Sequence, residues 1–84
     1  MTKKQLKSYI MQNSNIDFNY NGKRYGIERI ANNDGIYRIF FWEWNNAATS
    51  DNSYADFIDF EANAKIEDMS VVEILNNIDD ADVF

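Results

Sequence analysis

In Ile16-Asp17-Phe18-Asn19-Tyr20-Asn21-Gly22-Lys23-Arg24-Tyr25-Gly26-Ile27, apolar and polar residues alternate on both sides of Asn21-Gly22. Alternation of period two marks a strand with one buried face. Asn-Gly is the strongest two-residue hairpin signal, because a type I′ turn needs positive φ at both positions. With those two residues as the loop, Tyr20 pairs with Lys23, Phe18 with Tyr25 and Ile16 with Ile27. The apolar residues of these pairs then share one sheet face. Asp17, Asn19, Arg24, Gly26 and Glu28 share the other, which reads as wet.

Beyond this hairpin, Asn32-Asn33-Asp34-Gly35 makes a second turn. Residues 36–44 form a third strand that is apolar on both sides. Ile36, Phe40, Trp42 and Trp44 lie on one side, with Arg38 among them; Tyr37, Ile39 and Phe41 lie on the other. Two readings fit: a central strand covered on both faces, or a strand with one core face and one exposed aromatic face.

Upstream, residues 2–13 read as a helix. Thr2 and Gln5 match a T-x-x-Q capping box, and Leu6, Tyr9 and Ile10 fall on one face. Downstream, residues 45–53 are a polar loop. In 54–62, Tyr54, Asp56, Ile58 and Phe60 alternate as in a strand, but Ser53-x-x-Asp56 and the spacing of Tyr54, Phe57 and Ile58 favour a short helix. Ser70-Val71-Val72-Glu73 matches an S-x-x-E capping box opening a third helix over 71–78, with Val71, Ile74, Leu75 and Ile78 as its apolar stripe. Residues 79–84 are left as an acidic C-terminal tail. The expectation is an α+β fold in one domain, 1–84. Its order is α-β-β-β-α-α, a three-stranded antiparallel meander with helices packed mainly on one face.

Composition narrows the chemistry. The 84 residues include no His, Cys or Pro. Disulfides, thiol nucleophiles and Cys or His metal sites are therefore excluded, and so is the commonest catalytic acid/base. The longest apolar run, Ile39-Phe40-Phe41-Trp42, is far too short to cross a bilayer, so a cytoplasmic protein without membrane contact is expected. No pair of carboxylates stands out as a general acid and base, and Gly22, Gly26 and Gly35 form no phosphate-binding pattern. Asp79-Asp80-Ala81-Asp82 lacks the glycine and the closing Glu of a calcium loop. The expectation is a protein without enzymatic activity, cofactor or metal.

The formal charge of −6 divides unevenly, +4 over residues 1–42 and −10 over 43–84. Such asymmetry either compensates within the fold or marks a partner surface. Lys3 and Lys4 open the first helix and Asp79 and Asp80 close the last, each the wrong sign for the helix dipole. Antiparallel neighbouring helices would let those charges offset each other.

Two surface features carry the functional expectation. One is acidic: Asp51, Asp56, Asp59, Glu61, Glu67, Asp68, Glu73, Asp79, Asp80 and Asp82 could meet a basic protein partner. On one contiguous face they could imitate nucleic-acid phosphates and inhibit a nucleic-acid-binding protein. The other is aromatic: Trp42 and Trp44, exposed together, would anchor a protein or form a shelf for bases or sugars. A non-catalytic protein-binding or regulatory module is the leading expectation, in the style of short Asn-rich bacterial or phage proteins. The alternative is a small-ligand module built on the aromatic shelf. Direct nucleic-acid binding is disfavoured by the net charge, and a homodimer is a further candidate assembly.

Overall fold

A computed structural model describes all residues, 1–84. The first helix, α1 (Lys3–Met11), starts at the expected capping box: Gln5 N–H donates to Thr2 Oγ1 at 3.1 Å, and Thr2 N–H donates to Gln5 Oε1 at 2.9 Å. Leu6 and Ile10 are its buried stripe. Strands β1 (Ile16–Tyr20) and β2 (Lys23–Ala31) pair in the register set by Asn21-Gly22, with Tyr20 opposite Lys23 and Ile16 opposite Ile27. Both loop residues have positive φ, 51° and 77°, as a type I′ turn requires. At the next turn, Asn32 Oδ1 accepts from the N–H groups of Asp34 and Ile36, both at 2.9 Å. Strand β3 (Tyr37–Glu43) then pairs antiparallel with β2.

The remaining elements are shorter. A 3-10 turn over Ala47–Thr49 lies in the polar loop, and β4 (Ser53–Tyr54) adds to the free edge of β3. Helix α2 (Phe57–Asn63) follows. Strands β5 (Lys65–Ile66) and β6 (Met69–Ser70) form a small separate hairpin, which leads into α3 (Val71–Asn76). Finally β7 (Asp82–Val83) pairs antiparallel with β1. The main sheet thus has five strands in the order β4-β3-β2-β1-β7, extending the expected meander by one short strand at each edge.

The core lies between one sheet face and the helices. Ile16, Phe18, Tyr25, Ile27, Ile39 and Phe41 from the sheet meet Leu6, Ile10, Phe57, Phe60, Val71, Val72, Ile74 and Leu75 from the helices. Across the sheet, Phe18, Tyr25 and Phe41 stack with ring centroids 5.4 to 6.5 Å apart, and Phe60 meets Phe41 edge-on at 6.3 Å. Aromatic side chains supply burial that a domain this small cannot draw from many residues.

Four expectations need correction. Helix α2 is capped by Asp56, whose Oδ1 accepts from Asp59 N–H at 2.8 Å, because Ser53 and Tyr54 are taken up as a strand. Ser70 makes no capping hydrogen bond and α3 ends at Asn76. Ser70 is held in β6, and the first helical N–H, that of Val71, donates to Ala64 O instead. Residues 82–83, read as part of a tail, form a sheet strand. Lys3 and Lys4 do not pair with Asp79 and Asp80. Lys3 Nζ lies 2.7 Å from Glu61, and it is the Met1 amino group that donates to Leu75 O, at 3.0 Å, beside the end of α3.

Candidate functional site

The sheet face away from the helices carries the aromatic feature. On β3, Arg38, Phe40 and Trp42 alternate with the buried Ile39 and Phe41, so they point to this outer face. Register places Arg38 beside Ile30, Phe40 beside Glu28 and Trp42 beside Gly26 on β2. Asp17 of β1 lies opposite Gly26, and Asp82 of β7 lies opposite Asp17. The Trp44 N–H donates to Arg24 O at 2.8 Å, which carries the pairing one residue past β3 and keeps Trp44 at the sheet.

Trp42 packs so closely over Gly26 that a Cβ there would clash with indole Cζ2 and Cε2. Glycine is thus what lets the larger ring settle onto the strand. Trp42 and Trp44 meet edge to face, with centroids 6.1 Å apart and planes at 69°. Trp42 and Phe40 are half-buried, whereas Trp44 keeps 44% of its surface exposed. A shallow depression beside the two indoles is lined also by Asn45, Asn46 and Ser50.

This face is not the wet surface that alternation suggested. Asp17 is only 6% exposed and Gly26 is covered by Trp42. The reason is the third strand, whose outward residues are as large as its inward ones. Beside the indoles, Arg24 Nη2 lies 3.1 Å from Asp82 Oδ2 and 3.5 Å from Asp17 Oδ2, and its Nη1 lies 3.4 Å from Asn19 Oδ1. The guanidinium thereby offsets the charge of the buried carboxylate.

Of the ten acidic residues, five accept hydrogen bonds or pair with a cation within the fold and five do not. Asp56 and Asp59 are committed to α2. The Asp59 carboxylate accepts from Ala55 N–H at 2.9 Å and from Asn63 Nδ2 at 2.7 Å. Those two bonds, the backbone one foremost, hold its pKa below the ordinary aspartate value. Glu61 pairs with Lys3 and Asp82 with Arg24, while Glu67 accepts from Asn21 Nδ2 at 3.4 Å. Asp51, Asp68, Glu73, Asp79 and Asp80 are exposed and form no ion pair. They come from the polar loop, the β5–β6 turn, α3 and the segment after it.

Compared with family models, curated proteins and solved structures, the chain matches none. No helix is long and apolar enough to cross a membrane. No group of three or more acidic side chains is placed to hold a metal ion.

Proposed function

We propose that this chain is a non-catalytic protein-binding module whose contact surface is the outer face of the main sheet. The observation that carries this reading is the Trp42–Trp44 pair, held at a defined angle on a face that no helix covers. Tryptophan is enriched among residues that dominate interface energy, and a rigid pair loses little entropy on binding. The adjacent Arg24 and Asp82 supply a polar rim, the usual border of an apolar interface centre.

The same pair favours a protein over a base or sugar ligand. Stacking of successive bases uses ring faces in parallel. Here the planes cross at 69°, and one face of Trp42 is already occupied by Gly26. The version in which carboxylates imitate nucleic-acid phosphates draws less support, because four of the ten cap a helix or pair with a cation. The exposed acids still fit electrostatic steering of a basic partner.

Affinity capture from the cell of origin with wild-type chain and Trp44→Ala tests the proposal. A protein partner retained by the wild type and lost with the variant is expected. An identical set of captured proteins from both would overturn it.

A further inference from the structure

A second surface lies at the other end of β3, between α1, the Arg29–Tyr37 end of the β2–β3 hairpin, and the start of α2. It is a groove of about 270 Å³. Lys7 of α1, Arg29 of β2 and Arg38 of β3 all line it. None of the three has a carboxylate within ion-pair distance, although acidic residues outnumber basic ones 14 to 8 in the chain.

Neutral groups hold the two arginines instead. The Arg29 guanidinium stacks 3.9 Å from the Tyr37 ring centroid, and its Nη1 donates to Asn13 Oδ1 at 3.0 Å. Arg38 Nε donates to Ser53 Oγ at 2.7 Å and its Nη2 to Ser53 O at 3.3 Å. The positions of both are therefore set; Arg38 also acts electrostatically on the Asp59 carboxylate, so Lys7 and Arg29 are the groove cations left without an acidic partner. Asp56 is the one carboxylate in the lining, and its Oδ1 already accepts from Asp59 N–H. The groove also exposes apolar surface: Ile58 is 77% exposed, Met11 49% and Tyr37 42%.

We infer that this groove binds an acidic peptide segment of a partner protein. One bulky apolar side chain of the segment would sit among Met11, Tyr37 and Ile58, with neighbouring carboxylates on Lys7 and Arg29. Charge complementarity selects the acid, and arginine forks suit carboxylates in particular. The volume suits one or two side chains, below the usual range for a whole small-molecule ligand. A nucleic acid is disfavoured because three cations in one short groove are too few to track a phosphate backbone. The inference is independent of the tryptophan surface.

The test is a chemical-shift titration of the whole chain with the capped peptide Asp-Asp-Phe-Asp-Asp. Shifts centred on Arg29, Tyr37, Arg38 and Ile58 are expected, weakening as salt is raised. Arg29→Gln and Ile58→Ser, at an exposed position, should each weaken binding about tenfold. Trp44→Ala should leave it unchanged. Shifts elsewhere, or none, would overturn the proposal. So would equal binding of Lys-Lys-Phe-Lys-Lys or Asp-Asp-Gly-Asp-Asp, or the same shifts from inorganic phosphate alone.

Discussion

Gly26 and Trp42 face each other across two strands, the smallest residue against the largest. Gly26→Ala should drive the indole off the sheet and cost about 1–3 kcal/mol of stability, the range for overpacking. Urea unfolding and tryptophan emission read both effects. An unchanged emission maximum would show that the indole does not rest there. Asp59 supports a different test. Its folded pKa lies below the ordinary value, so its contribution is present above the unfolded pKa and lost as pH falls through the folded one. Stability of the wild type should therefore drop below about pH 4, and Asp59→Asn should flatten that part of the profile. Equal acid profiles for the two proteins would count against this role.

At the scale of elements, two look-alike motifs behave differently. Thr2-x-x-Gln5 forms its capping box, whereas Ser70-x-x-Glu73 does not. Thr2→Ala should cost about 1 kcal/mol and Ser70→Ala much less, read from thermal or urea midpoints. The β5–β6 turn gives an opposite prediction. Glu67 and Asp68 both take positive φ, 51° and 69°, where non-glycine residues are strained. Replacing them by Asn-Gly should stabilise the chain by about 1 kcal/mol; a lower midpoint would contradict this conformation.

These elements also show what was legible in the chain. The first hairpin was readable to the residue, because Asn21-Gly22 and the alternation of Ile16, Phe18, Tyr25 and Ile27 specify one register. Strands β4 and β7 were not, since two residues carry no period and their pairing is decided by what they meet. The β5–β6 hairpin escaped because Glu67-Asp68 carries neither the Gly nor the Asn that marks a positive-φ turn. Trp42 and Trp44 were legible as residues sharing one side of one strand. Whether helices would cover that face was not, because it depends on how distant segments pack. The groove of Lys7, Arg29 and Arg38 left no local signal, being assembled from separate elements.

Over the whole molecule, the charge split resolves into specific local arrangements. Lys3, Lys23 and Arg24 of the basic half pair with Glu61, Glu43 and Asp82, all from the acidic half, so part of the asymmetry is internal compensation. What stays unpaired is localised: Lys7 and Arg29 in the groove beside α2, and acids in exposed turns and loops. The helices cover one sheet face and leave the other to its aromatic residues. A partner bound there should protect β3 from the outer side without touching the helical layer. The most direct measurement is a chemical-shift footprint of the partner captured by the wild type, recorded on the isotope-labelled chain. Perturbation of the Trp42 and Trp44 indole N–H signals and of Phe40 and Arg24 is expected, with α1 and α3 unaffected. Perturbation confined to α1 and α3, with both indole signals unmoved, would contradict it.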